Sequence, residues 1–539
     1  MSFRRNDSQQ MSFFDNTYFM TKRERKALEA SWATIFADEI FPQIDEERFR
    51  CLYSSNDASR PNTPTNVVVG ALILQQLFNL SDDEMVERLM FDIRFQYALH
   101  TTSFKEQPLS DKTLSRFRAR CYEYEQKTNI DLMHDCVKDL AGKTARMMAI
   151  DGHIRRMDSM MVASDIKKLS RAELIYRCIS NTVKFLQRSG MDELIGTMAH
   201  YCEPNDFNRV FYHANNPAVT RDDIIQTLLK DADALLARLG DTLSDIKEYK
   251  LLVRVLSEQT IVENGVRRLR TKEDGGMGSD ILQNPADPEA TYRKKAGKEY
   301  RGYVANVEES VGKNASQITE YQFEQNNVSD QEMAESYLEG MDHQEEKVLV
   351  SADGAYSSDT IKASASAKNI DFAVTDLTGK EVDPVMGAFS FNEDGTTILS
   401  CPAGKEPESC KYNGQTGQCT ATYAHDTCAE CPFRSQCKAK NTKNKAKVTA
   451  SVKMRNRARQ RASMSGDRFK ALSRFRNGVE TIPSQLRRNY NLDHMPVRGK
   501  TRMKFFFGTK VAALNFRKLF NFRKGLGNYA QNELINAVG

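Results

Sequence analysis

Val348-Leu-Val-Ser-Ala-Asp353-Gly-Ala-Tyr356 is a short run of small and branched residues that stops at an acid. Such a run favours a buried strand. Asp353-Gly354 breaks it, and the glycine allows the tight turn that follows. A carboxylate at the end of a buried strand sits at the rim of a sheet and points into a cleft. Asp-Gly is a common turn pair, so this acid alone reads as a strand-ending turn. Two more acids in similar settings change the reading: Asp158 in Arg155-Arg-Met-Asp158-Ser-Met-Met-Val-Ala-Ser164, and Glu480 in Arg474-Phe-Arg-Asn-Gly-Val-Glu480.

Strand signals gather around the first stretch. Tyr300-Arg-Gly-Tyr-Val-Ala-Asn-Val307 and Ile318-Thr-Glu-Tyr-Gln-Phe-Glu324 alternate, and Ser329-Asp-Gln-Glu332 caps a short helix. Residues 145–166 read as strand, with Asp151-Gly152 as a hairpin turn. Residues 168–260 read as helical, opened by the capping box Ser170-Arg-Ala-Glu173 and carrying Leu228, Leu235, Leu239 and Leu251 at helical spacing. Asp274-Gly-Gly-Met-Gly-Ser reads as a flexible link. The fold class is therefore α/β: a mixed sheet interrupted by a helical insertion. The expected divisions are a helical N-terminal part at 1–130, a first piece of core at 140–167, the insertion at 168–285 and further core at 286–400. A cysteine-rich insertion at 401–440 and a basic C-terminal part at 441–539, carrying the third acid, complete the chain.

A chain of 539 residues exceeds one ordinary domain, and 40% hydrophobic content sustains real cores. The longest apolar runs fall well short of a membrane span of about 20 residues. Met1-Ser-Phe-Arg-Arg-Asn lacks the apolar core of a signal peptide, so a soluble, cytoplasmic protein is expected. Eleven cysteines lack the density of a secreted disulfide scaffold. The net charge of +5 hides an asymmetry. From Lys438 to Lys524 there are 25 Lys and Arg against three acids, a net of +22, which leaves −17 for the rest. A block of that sign calls for a polyanionic partner, most commonly nucleic acid. Interleaved Phe505-Phe-Phe, Val511-Ala-Ala-Leu514 and Leu519-Phe520 mark it as a folded region.

Near the N-terminus, Val67–Phe78 reads as an apolar helix entered through Pro61 and Pro64, and Ser81-Asp-Asp-Glu84 opens another. Ser110 caps a third over Asp111-Lys-Thr-Leu-Ser-Arg-Phe-Arg-Ala-Arg120. There Lys112, Arg116 and Arg120 share a face. Thr113 and Ser115 lie near its start, where hydroxyls commonly reach phosphates or base edges. Residues 61–125 read either as a DNA-binding helix-turn-helix module or as a bundle with a solvated basic face. Six cysteines fall within 401–437, and Cys428-Ala-Glu-Cys431 has the gap that suits one tetrahedral zinc. Cys401, Cys428, Cys431 and Cys437 are the nominated ligands, with His425 as a spare. The alternative is a loop-rich insertion of reduced thiols.

Asp158, Asp353 and Glu480, converging from two strands and a helical segment, would make a site for two divalent cations. Magnesium prefers hard oxygen ligands. Two such ions about 4 Å apart serve in-line phosphoryl transfer. Arg474, Arg476, Arg487, Arg488 and Arg498 would hold the polyanion.

The chain resembles bacterial insertion-sequence transposases of the DDE superfamily, close to the insertion-sequence "eleven-eighty-two" group. Residues 61–118 resemble the family's N-terminal helical domain, including Leu80-Ser-Asp-Asp-Glu84 and Leu109-Ser-Asp-Lys-Thr-Leu-Ser-Arg-Phe-Arg118. Arg156-Met-Asp158-Ser-Met-Met with Lys168-Leu-Ser-Arg171 resembles the stretch around the first catalytic Asp, and Ala352-Asp353-Gly-Ala-Tyr356 the second. Cys428-Ala-Glu-Cys-Pro432 resembles the cysteine-rich insertion. Arg476-Asn-Gly-Val-Glu480, Arg498-Gly499 and Ala512-Ala-Leu-Asn515 resemble the region of the third acid. The resemblance implies a ribonuclease-H-like core and cutting and joining of DNA with magnesium, manganese substituting in vitro. It also implies binding of terminal inverted repeats and target DNA by a homodimer associated with the nucleoid. A nuclease on the same core and a non-catalytic zinc-containing DNA-binding protein are the competing classes. Where relatives often carry Asp-Ser-Thr or Asp-Thr-Thr, this chain has Asp158-Ser-Met. The basic residue expected six after the third acid falls seven on, as Arg487. Asp151-Gly152 resembles the Asp-Gly-Thr form of related sequences and stands as the alternative first acid.

Overall fold

The computed structural model describes residues 1–6, 15–56, 58–102, 109–110, 112–212, 220–240, 243–295, 297–377, 381–464 and 466–526. Its centre is a six-stranded mixed sheet. Strand β1 (Ile154–Ala163) is followed by the hairpin β2 (Thr260–Glu263) and β3 (Val266–Leu269), which stands apart from the main sheet. The sheet continues with β4 (Thr291–Lys295), β5 (Lys298–Val311), β6 (Ser316–Gln325), β7 (Val348–Ala352) and β8 (Ile370–Val374). Its order is β4-β5-β1-β7-β8, with β6 also paired to β5. β5 lies antiparallel to β1, β4 and β6. β7 lies parallel to β1 on one side and to β8 on the other.

The quoted stretch folds as read: all five residues of β7 are buried. Near-continuous apolar character is what a parallel strand covered on both faces requires. One face of β7 and β8 packs against the helices Asp330–Glu339 and Asp359–Ala367 through Met157, Tyr337, Leu338, Val350, Ile361 and Phe372. The expected sheet over 145–166, 300–324 and 347–356 therefore forms, with one correction. Residues 145–147 end the helix Leu132–Met147, and β1 begins only at Ile154. Ala, Arg and Met are good helix formers. Cys136, Val137, Leu140, Ala141 and Thr144 bury one stripe of that helix. Asp151-Gly152 is thus a helix-to-strand link, with Gly152 at φ +81°, and not a hairpin turn.

The expected insertion is a helical lobe with its own core. The helices Arg171–Arg188, Arg221–Leu239 and Lys247–Gln259 pack through Ile175, Ile179, Leu228, Leu235 and Leu252. The Ser170 capping box is formed in both directions.

The N-terminal helices share a core with the sheet. The helix Thr65–Phe78 is buried from Thr65 to Leu77, so no face is left for solvent. The helix Lys500–Arg523 lies against it, against Leu132–Met147 and against β6. Phe36 stacks edge-on to Phe516 at 5.1 Å, and Asn515 takes a hydrogen bond from Ile318 N and returns one to Ile318 O. Lys510 donates to Gln76 Oε1 at 2.7 Å and to the Tyr490 carbonyl at 2.6 Å. One core thus runs from Leu28 to Leu519. The third N-terminal helix spans Thr113–Thr128, and Asp111 lies outside the described residues. Ser110 is not its cap; it pairs instead with the Thr113 hydroxyl.

The cysteine-rich part is a small sheet and not a loop. β9 (Ser390–Phe391) and β10 (Ile398–Ser400) precede it. β11 (Ser409–Asn413), β12 (Gln418–Ala424), β13 (Lys440–Asn441) and β14 (Lys445–Ala450) then order as β11-β12-β14-β13. The helices Val452–Ser463, Asp467–Asn477 and Thr481–Tyr490 return the chain to the main sheet. Among the described residues no helix is long and apolar enough to cross a membrane.

Candidate active site

Adjacent parallel strands bring two of the three acids together. Asp158 lies within β1, and Asp353 follows the last residue of β7. Side chains alternate along a strand, so Arg156 and Asp158 share the face opposite Met157. The helix Asp467–Asn477 packs on β1 and β7, and a short turn, Gly478–Glu480, delivers the third acid. A Cβ at Gly478 would run into the Arg156 guanidinium, so any larger residue there has to displace that group. Arg156 is itself fixed: it donates to Glu309 Oε2 at 2.6 Å and to the Phe475 carbonyl at 2.8 Å. Burial alone would raise the Glu309 carboxyl, but Lys518 and Arg156 outweigh it and hold it at about 2.

The three acids meet at one guanidinium. Arg476 Nη2 lies 3.0 Å from Asp158 Oδ1 and 3.8 Å from Asp353 Oδ2, and Nη1 donates to Glu480 Oε1 at 2.7 Å. Exposure is graded: the Arg476 and Asp158 side chains are 11% and 14% exposed, Asp353 37% and Glu480 57%. Burial raises the Asp158 carboxyl above its ordinary range, with the like charge of Asp353 adding to it. Arg476, Lys295 and the Ser159 backbone N–H oppose this without cancelling it. Asp353 accepts the Ala355 N–H at 2.5 Å and so caps its own turn. A Cβ at Gly354 would stand 2.5 Å from the Asp376 carbonyl oxygen, which explains the glycine after the acid. Asp151 is exposed ahead of β1, accepts from His153 N and joins none of these groups.

Among the described residues no group of three or more His, Cys, Asp or Glu is arranged to hold a metal ion as it stands. Arg476 fills the space between the acids and supplies the balancing positive charge. Their donor set, carboxylate oxygens alone, nevertheless suits magnesium or manganese. The nominated zinc ligands Cys401, Cys428, Cys431 and Cys437 are drawn to one region. There burial, then the charges of their neighbours, push the Cys428 and Cys437 thiols up. They too are not arranged as a metal site, and zinc finds no support.

The nominated DNA contacts divide. Lys112, Ser115, Arg116, Arg474 and Arg488 are exposed. Thr113 is engaged with Ser110, and Arg120 lies 5.0 Å over the Tyr53 ring. Arg487 donates to the Met161 carbonyl at 2.9 Å and pairs with Asp493, while Arg498 is tied to Asp165. Sequence reasoning placed Arg476 among the polyanion contacts and missed its position between the acids. The four-residue spacing to Glu480 was the available signal.

The Transposase DDE domain family matches residues 400–520, and the Transposase domain (DUF772) family matches residues 25–120. The two matches support an insertion-sequence transposase of the DDE type. A DDE transposase domain implies an enzyme that cleaves and transfers DNA. The DDE match contains Arg476 and Glu480 but neither Asp158 nor Asp353, which join them only through the fold. No curated protein and no solved structure matches the chain.

Proposed function

We propose that the chain is a DNA transposase of the insertion-sequence "eleven-eighty-two" group, with Asp158, Asp353 and Glu480 as its catalytic carboxylates. The observation that carries this is the meeting of three acids, distant in sequence, at Arg476. The strand order and directions support a ribonuclease-H-like core: β5 and β6 antiparallel beside β1, β7 and β8 parallel beyond it. The three carboxylates would hold two magnesium ions, which when bound supply the Lewis acidity of in-line phosphoryl transfer. Asp158 is the fixed member, buried in a central strand. Asp353 is positioned by its own turn. Glu480, the most exposed, sits on a short turn with room to adjust. Arg476 offsets the mutual repulsion of the acids until cations enter. Lys112, Ser115 and Arg116 would read the terminal inverted repeats, and Arg474 and Arg488 would attract DNA phosphates, as would the homodimer's second copy at the other end. The resulting enzyme would act on DNA in the bacterial cytoplasm and nucleoid.

The test is cleavage of a duplex spanning the boundary of the element, with magnesium present. Asp353→Asn and Glu480→Gln should each lower the rate by roughly 10³-fold or more while DNA binding persists. Asp151→Asn should keep it and Asp158→Asn should not. Joining of the freed 3′ end to a second duplex separates a transposase from a simple nuclease. An Asp353→Asn protein that still cuts would refute the assignment.

A further inference from the structure

We infer that a cationic cleft beside Asp353 holds the backbone of the DNA strand that runs past the reacting phosphate, an inference that rests on the transposase reading above. The cleft has a volume of about 700 Å³, within the range of ligand-binding clefts. One wall is Ser357 and Ser358, the residues that leave the Asp353 turn, and Leu377 stands beside them. Gly354 backs onto Asp376, one residue before Leu377, so the acid's turn and the cleft are built on the same two segments. The opposite wall is the helix Val452–Ser463.

That helix carries a cation at every second position: Lys453, Arg455, Arg457, Arg459 and Arg461. On a helix of 3.6 residues per turn this puts Lys453, Arg457 and Arg461 on one side and Arg455 and Arg459 on the other. Arg455 lies over the Phe391 ring at 5.4 Å, Arg459 donates to the Gly387 carbonyl at 2.8 Å, and Arg461 pairs with Glu381. These three fasten the helix to the segment before the cysteine-rich sheet. Lys453 and Arg457, four apart on the first of these sides, both line the cleft. Across from them Lys362, on the helix Asp359–Ala367, donates to Gln460 Oε1 at 3.0 Å. Among the described residues, three cations thus converge from two elements on one concavity, and the one carboxylate lining it is Asp359. A concave site of one sign focuses potential and attracts a polyanion. Three cations beside the turn that carries Asp353 suit the phosphates of a strand running from that acid past Ser357 and Ser358.

The experiment uses the full chain without divalent metal and two duplexes, one ending at the cleavage boundary and one continuing into flanking DNA. Lys362→Ala/Lys453→Ala/Arg457→Ala should weaken binding of the longer duplex roughly tenfold and reduce its salt slope by about one per side chain removed. The shorter duplex should be bound as before. Lys362→Arg/Lys453→Arg/Arg457→Lys should restore wild-type binding, and equal melting temperatures would show all variants folded. Equal weakening on both duplexes, or none on the longer, overturns the cleft assignment. A wild-type chain that binds DNA here, and cuts it once magnesium is added, while the triple alanine variant binds normally overturns the cleft alone. A wild-type chain that binds neither duplex overturns the transposase reading beneath it.

Discussion

Arg476 faces three carboxylates at once, and its planar fork reaches them from two separate nitrogens, a spread that the single ammonium of a lysine does not reproduce. Its removal leaves Asp158 buried near Asp353 without the cation between them. Arg476→Ala should therefore destabilise the metal-free protein by about 3 kcal/mol. Magnesium should recover part of that loss, so its melting temperature should rise more with added magnesium than the wild type's. Equal rises would remove the acids as the metal-binding group. Asp158 supplies the complementary prediction. Its folded pKa is raised above the ordinary 3.8, so the native state holds its proton longer than the unfolded chain. Stability then falls as pH climbs from 3.8 through the folded value, and the full cost remains at neutral pH. Asp158→Asn should be more stable than wild type at pH 7 by on the order of 1 kcal/mol and equal to it below pH 3.8, while losing cleavage. Denaturant unfolding at the two pH values would show it. Asp158 and Asp353 were legible as candidates because a charged residue that ends or interrupts an apolar strand costs burial energy and so stands out; Glu480, on a turn after a helix, stood out only through the Arg476-Asn-Gly-Val-Glu480 stretch that resembles the family. The arginine between them was not, since its partners lie on three separate segments.

The element that decides the site's geometry is the Gly478–Glu480 turn at the end of the Asp467–Asn477 helix. Gly478→Ala forces its methyl onto an Arg156 side chain that cannot move freely, because Glu309 and the Phe475 carbonyl hold it. The expected cost is about 2 kcal/mol, with a larger effect on cleavage than on DNA binding as Glu480 is displaced. Unchanged cleavage would mean that the turn does not position the acid. Strands β5, β6 and β7 were legible because they alternate or run apolar over enough residues to show a period. β4 and β8, at the two ends of the strand order, were not read: each mixes charged residues into a short run, where β7 of the same length is almost wholly apolar. The error at 145–150 has the same root. A six-residue stretch that is apolar but for Arg146 fits strand and buried helix alike, and only the packed stripe upstream decides for the helix.

At the scale of the whole molecule, the basic block was read correctly as folded, but its charge was not all free for DNA. Arg487, Arg498, Lys504, Lys510 and Lys518 are bound within the protein, to carbonyls and carboxylates that sequence cannot pair with them. The common core from Leu28 to Leu519 was equally hidden, because the helices that build it are far apart in the chain. The Lys500–Arg523 helix has a consequence in time. During synthesis the N-terminal helices leave the ribosome long before the segment that fills their groove, so they must wait with Val68, Leu72 and other apolar side chains uncovered. A chain released at Gly499 would already hold all three acids and yet should be insoluble, or rapidly degraded by protease, where the full chain is neither. Adding the 500–523 segment as a separate peptide during refolding should rescue some of it. Translation that stops early would then yield no half-working enzyme able to nick DNA, only a chain destined for disposal.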